Sequence, residues 1–195
     1  MYKKIILASS SIHRKRLLRQ LKISFSSISP NIDEKRLKSE SPTMYVKRLS
    51  KEKAKFVAKK HKGAIIIGSD EVAVVGTRIL GKPNTIKNAK KQLRFISNKM
   101  VIFKTGVCVI DSTTNKSLSA VVNYNVLMKK LTSKEINYYI KNETMLNCAA
   151  SIRIEGMGIG LVKKMYGPDP TSIIGLPLTK VVEFLKYFGY KIFNK

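Results

Sequence analysis

The sequence predicts an α/β protein in which a mixed, twisted sheet is flanked by helices. Apolar, β-branched runs such as "KKIILA", "AIIIGSDEVAVV" and "MVIFKTGVCVI" alternate with segments whose apolar residues recur at helical spacing. The C-terminal half is richer in strand-like runs than in helices, which favours a mixed sheet. The chain has 195 residues and no repeat, low-complexity tract or Pro/Gly/Ser-rich linker, so it reads as a single domain over 1–195.

Taken in order, "KKIILA" reads as a strand and "SIHRKRLLRQL" as a helix with Leu17, Leu18 and Leu21 inward and Ser11 as its N-cap. "SPTMYVKRLSKEKAKFVAKK" is a second helix, with Ser41 as cap and Pro42 at its first position. "AIIIGSDEVAVV" is a buried strand interrupted at Asp70. "NTIKNAKKQLRFI" is a helix with Ile86, Ala89, Leu93 and Ile96 on one face. "MVIFKTGVCVI" and "SLSAVVNYNVLMKKL" follow as strands. Thr132 and Glu135 form a capping box, stapled by Leu131 and Ile136, that starts the helix "SKEINYYIKN". "ASIRIEG" and "GIGLVKKMYG" read as a pair of strands. The last helix has Leu178, Val181, Val182, Leu185 and Phe188 on one stripe, and Gly189 closes it.

A formal net charge of +26 admits two readings, a polyanion binder or a lysine-rich solvated surface. The bases are scattered and have few aromatic residues between them, whereas base-stacking platforms interleave the two. Either surface favours a polyphosphate substrate. Cys108 and Cys148 fit no metal or redox spacing, so a reducing interior is the expectation. No run approaches the length of a membrane span, and Ile5 to Ala8 is too short for a signal-peptide core. The expected location is cytoplasmic.

Residues that break local rules carry the functional information. Lys53 falls inside the apolar stripe Val46, Leu49, Phe56, Val57, where it either snorkels to the edge or meets an anion. Asp70 stands between "AIII" and "VAVV", where a carboxylate needs a metal ion, a lysine or a structural salt bridge. Glu71 follows it, but successive strand residues point to opposite faces. Lys82 precedes Pro83 and projects from an extended connector. Asp33 and Glu34 are an acidic pair in a polar stretch. "GMGIG" lacks the Lys-Ser/Thr of a P-loop and reads as close-packed backbone between strands. His13 and His61 are isolated, which argues against a histidine metal site.

Together these exceptions resemble a known family. "LASSSIHRKRLLRQL" is similar to the N-terminal signature of the Maf proteins, house-cleaning nucleotide pyrophosphatases. "IDE", "RLSKEKA", "GSDEVAVV", "ILGKP", "CAASIRIEG" and "TSIIGLPL" follow in the family's order over nearly the whole chain. "IIGSD", "CAAS" with "EG", and "DPTSIIGLPL" look most like the branch that hydrolyses 7-methyl-GTP. The dTTP/UTP branch typically has Ala-Asp-Thr at Ser69, Asp70 and Glu71, and Gln at Glu155. Ile12, His13, Ala150 and Glu71 depart from the usual pattern.

The resemblance implies two lobes around a central cleft, often in a homodimer, and hydrolysis between the α and β phosphates of a nucleoside triphosphate. It implies Asp70 as proton acceptor, Glu34 and Asp70 as ligands of Mg²⁺ or Mn²⁺, and Ser9, Arg14, Lys53 and Lys82 as phosphate contacts. Oxygen-only ligation suits those hard ions. His13, Glu71 and Glu155 fall at positions that set substrate choice. The carboxylates Glu71 and Glu155 would favour a positively charged 7-methylguanine over neutral bases. The alternatives are a dTTP or UTP pyrophosphatase of the same family, or a basic nucleic-acid-binding protein that needs no Asp70. Alongside catalysis, nucleic-acid binding is expected to be weak and nonspecific.

Overall fold

Three long strands organise the molecule. The computed structural model describes residues 3–193. Within it β3 (Ala64–Val75) pairs antiparallel with β5 (Met100–Asp111), and β5 with β6 (Ser117–Met128), over most of their length. β1 (Lys4–Ala8) lies parallel to β3 on one side and to the short β2 (Phe25–Ser27) on the other. β4 (Arg78–Leu80) folds back on the end of β3, and β7 (Val162–Tyr166) pairs with β6. The result is one seven-stranded mixed sheet, in the order β2-β1-β3-β5-β6-β7 with β4 beside β3.

Among the described residues five α-helices flank it: α1 (Ile12–Arg19), α2 (Pro42–Lys60), α3 (Ile86–Ile96), α4 (Ser133–Asn142) and α5 (Leu178–Tyr187). The caps are where local chemistry puts them. Ser11, Ser41, Thr85 and Thr132 accept from the first-turn N–H groups, and Thr132 with Glu135 closes a reciprocal capping box. On α5 the buried residues are Leu178, Val181, Phe184 and Leu185, so Phe184 fills the place expected for Val182. Ile86, the first residue of α3, is exposed rather than on the apolar face.

β3 and β5 are long enough to serve two cores. Ile65 and Ile67 pack with α1 and α5, and Ile66 packs with α2. Ala73, at the other end of β3, belongs to a core shared with α3, α4 and the segment 145–162. Asp70 and Glu71 lie where β3 passes from one core to the other. The sheet is therefore common to two lobes, and the cleft opens between them.

Three sequence readings are corrected. β3 is continuous through Asp70, because Lys53 compensates the carboxylate and the ladder to β5 is unbroken there. "ASIRIEG" is not a strand but a 3₁₀ turn at Ala149–Ser151 followed by irregular chain; Ala150 and Ser151 have φ of 53° and 62°, which no strand tolerates. "GIGLVKKMYG" begins in a 3₁₀ turn (Met157–Leu161), and of its residues only 162–166 form a strand, β7. Its Gly158 does pack closely, since a Cβ there would overlap the carbonyl of Arg153. Among the described residues no helix is long and apolar enough to cross a membrane.

Candidate active site

A cleft of about 610 Å³ separates the lobes, and its wall takes in residues from the β1–α1 turn, α2, β3, the 81–84 connector, the 147–155 segment and the 173–175 turn. At one end β1 stops at Ala8 and three serines lead into α1. Ser9 Oγ accepts from the Ser11 N–H at 3.1 Å, and Ser27 Oγ donates to the Ser9 carbonyl at 2.5 Å. This fixes the turn so that the start of α1 borders the cleft, where partial positive charge favours an anion.

Facing it across β3 is a buried ion pair. Lys53 Nζ donates to Asp70 Oδ1 at 2.5 Å and lies 2.8 Å from Glu34 Oε1. Lys53 and Asp70 are 5 % and 7 % exposed, whereas Glu34 is largely open to solvent. Of the two fates read from the sequence, Lys53 meets anions. Two glycines allow it. A Cβ on Gly68 would overlap the carbonyl of Ser50, and one on Gly106 would overlap the carbonyl of Val46. The α2 backbone thus lies directly on β3 and β5, and Gly106 is the register partner of Asp70 itself. Separating the pair would leave an uncompensated buried charge, at about 3–5 kcal/mol.

Glu34 is carried on a loop clamped to α2. Arg48 donates to both oxygens of Glu40 and to the carbonyl of Lys35, and Tyr45 Oη donates to the Glu34 carbonyl at 2.6 Å. The Glu40 carboxyl is held below its usual value chiefly by Arg48.

Arg14 is oriented from the opposite lobe edge. Its Nε donates to the Gly175 carbonyl at 2.8 Å, and Ser69 Oγ lies 2.8 Å from the same oxygen. Gly175 has φ of 105°, and a Cβ there would press on the Arg14 guanidinium at 3.1 Å. The turn is fixed by Asp169, which is buried and accepts from the N–H and hydroxyl of both Thr171 and Thr179. Burial alone would raise the Asp169 carboxyl, but the hydrogen bonds from Thr171 and Thr179 outweigh it and hold it low.

At the other end the cleft is acidic. His13 Nδ1 is 2.6 Å from Glu155 Oε1, and Arg153 Nε lies 3.8 Å from the same oxygen. Crowding by the cleft walls pushes the Glu71 carboxyl up to about 8, with Arg14 acting against this. The Thr105 hydroxyl lies 2.7 Å from the Ser172 carbonyl and 3.2 Å from Glu71 Oε2. A hydroxyl has one proton, and the shorter contact takes it. Burial likewise pushes the Cys148 thiol at the cleft wall up to about 12, which makes it an inert lining group.

The segment bearing Glu155 is held by buried polar groups. Tyr139 Oη donates to the Ser151 carbonyl and accepts from the Arg153 N–H. Glu143 accepts from the Met157 N–H and from Arg153.

Among the described residues no group of three or more His, Cys, Asp and Glu side chains forms a metal site. Asp70 and Glu34 nevertheless converge on one cation, the Lys53 ammonium. Two converging carboxylates fit a hard divalent ion that keeps waters and completes its shell with phosphate oxygens.

All nine residues singled out in the sequence line this one cleft: Ser9, His13, Arg14, Glu34, Lys53, Asp70, Glu71, Lys82 and Glu155. Asp70 and Glu71 share it although they point to opposite sides of β3, because the cleft wraps around the strand. Sequence reasoning passed over Thr105, Gly175 and Asp169. The signal for the last was the spacing of Asp169, Thr171 and Thr179 before a helix.

The fold and cleft define an α/β protein built around a single two-lobed site, cationic at one end and acidic at the other. The chain belongs to the Maf family: the family described as Maf-like protein matches residues 4–188. It is 44% identical over 190 residues to the 7-methyl-GTP pyrophosphatase of Pseudoalteromonas translucida, covering 97% of this chain and 94% of that one. It is 44% identical to the 7-methyl-GTP pyrophosphatase of Colwellia psychrerythraea, covering 97% and 95%. The corresponding protein of Syntrophotalea carbinolica is 41% identical over 189 residues, covering 96% of each chain.

Proposed function

We propose that the protein is a nucleoside triphosphate pyrophosphatase acting on 7-methyl-GTP, which it converts to 7-methyl-GMP and pyrophosphate. The observation that carries this is the buried Asp70–Lys53 pair, set in the same cleft as the α1 start and Arg14. The names of the full-length relatives support it.

In this reading Arg14 grips phosphate oxygens with its free fork while Gly175 fixes its Nε. Lys53 and Lys82 add positive charge along the phosphate chain. Water attacks the α-phosphorus, its proton passes to the Asp70 carboxylate, and the bond from that phosphorus to the bridging oxygen breaks with loss of pyrophosphate. Mg²⁺ or Mn²⁺, held by Asp70, Glu34 and phosphate oxygens, would supply charge neutralisation there. His13 and Arg153 hold Glu155 at the acidic end, where it and Glu71 meet the cationic 7-methylguanine ring.

The test is pyrophosphate release from 7-methyl-GTP, GTP, dTTP, UTP and CTP with Mg²⁺ or Mn²⁺, using Asp70→Asn as control. Preference for 7-methyl-GTP, lowered about 10²–10⁴-fold in kcat by the substitution, is the expected result. Preference for dTTP or UTP would overturn the base assignment and keep the chemistry. No release from any nucleotide, with salt-sensitive nucleic-acid binding instead, would overturn both.

A further inference from the structure

The cleft has a neighbour. A second cavity of about 400 Å³ lies beyond the 81–82 connector, and Gly81 and Lys82 line both spaces. The second lining contains the cations Arg78, Lys82 and Lys91 and no carboxylate. Among the described residues none of the three is in a salt bridge. Arg78 sits over the Phe95 ring, 4.6 Å from its centroid. The apolar part of the lining comes from Phe95, Ile79 and the buried Leu80 and Pro83.

Inorganic phosphate would use the three cations and leave the ring and the apolar wall idle. A nucleoside phosphate uses all of them: cations for the phosphates, and a guanidinium backed by an aromatic ring as a stacking surface for a base. Lys82 is the charged residue that the two spaces share, so a phosphate chain it holds can lead from one into the other.

We propose that this second cavity receives a nucleoside joined to the terminal phosphate of the substrate, which makes dinucleoside polyphosphates a further substrate class. The proposal rests on the pyrophosphatase reading of the main cleft. The chemistry is unchanged. Water attacks the α-phosphorus of the nucleotide in the main cleft, its proton goes to Asp70, and the α–β anhydride bond breaks. The leaving group is a nucleoside diphosphate in place of pyrophosphate.

The probe is the dinucleotide in which guanosine is attached to the terminal phosphate of 7-methyl-GTP, assayed in parallel with 7-methyl-GTP itself. The enzyme is compared with an Arg78→Ala/Lys91→Ala variant, both residues being exposed and outside the main cleft. The expected result is release of 7-methyl-GMP and GDP in equal amounts. The double variant should raise KM for the dinucleotide about tenfold while 7-methyl-GTP kinetics stay within about twofold. Phe95→Leu should weaken the dinucleotide alone. Hydrolysis of 7-methyl-GTP without hydrolysis of the dinucleotide overturns the proposal, as does a double variant that leaves the dinucleotide unaffected or slows both substrates alike. Inactivity toward every nucleotide instead removes the pyrophosphatase reading, and this proposal with it.

Discussion

The two ends of the cleft are built differently. At the cationic end, Lys53 and Asp70 come from the middle of regular elements, and Arg14 from the first turn of α1. Their positions follow from strand register and from a helix seated on two glycines. At the acidic end, Glu155 stands on irregular chain whose path is set by Tyr139, Glu143 and two left-handed residues. The difference teaches where tolerance lies. The end that would handle phosphates common to all nucleotides is fixed by backbone packing, and the end that would meet the variable base is fixed by side chains that can be exchanged singly.

The largest effect tests the glycine seat. Gly106→Ala forces α2 off β5 and carries Lys53 away from Asp70. We expect a loss of about 1–3 kcal/mol in stability by denaturant unfolding. Activity should fall about a hundredfold on every nucleotide alike, as misplacing a group by about 1 Å does. A loss confined to one base would break the comparison.

Asp169→Asn asks whether irregular chain can be as firmly set as a helix. Hydrogen bonds to a charged group are worth about 1.5–3 kcal/mol, so the variant should lose about 2 kcal/mol at neutral pH. The sign with pH is definite. A carboxyl held below its ordinary 3.8 in the folded state stabilises the fold above that value, and the contribution is lost as pH falls through the folded pKa. The variant should therefore show a shallower decline in stability below about pH 4 by acid unfolding. An unchanged acid limb would mean that Asp169 is not the anchor of the turn beneath Arg14.

Glu155→Gln sharpens the contrast from the other end. It should cost about tenfold in kcat/KM for 7-methyl-GTP and little for UTP, because one charge-assisted contact to the base is removed. Equal losses on both substrates would assign Glu155 to phosphate handling or to structure.

The smallest expected effect is a gain. Ala150 has φ of 53°, a conformation that costs a residue with a Cβ about 1 kcal/mol and a glycine almost nothing. Ala150→Gly should raise stability by about 0.5–1 kcal/mol in thermal unfolding. A fall would show that packing of the Ala150 methyl group, which is fully buried, outweighs the backbone strain.

The same division explains how much could be read in the sequence. Period-2 and helical spacing mark β3, α2 and the capped helix starts, so Lys53 and Asp70 stand out as charges in apolar stripes. Nothing in the spacing of "ASIRIEG" signals two left-handed residues, because that path is imposed by the distant Tyr139 hydroxyl. Alternating Ile152, Ile154 and their polar neighbours instead imitate a strand. β2 and β4, three residues each, are too short to declare a period. Glu34 looked like ordinary solvated polar chain, and only the fold of the loop brings it to Lys53.

The placement of charge has a kinetic consequence. Four of the twelve acidic residues of a chain with net charge +26 line this one cleft. An approaching triphosphate meets the cationic exterior before it reaches the buried Asp70. Capture is governed by a field that salt screens over about 10 Å, while choice among bases is governed by contacts too short to screen. Added salt should therefore slow the encounter with every nucleotide and leave their ranking as it was.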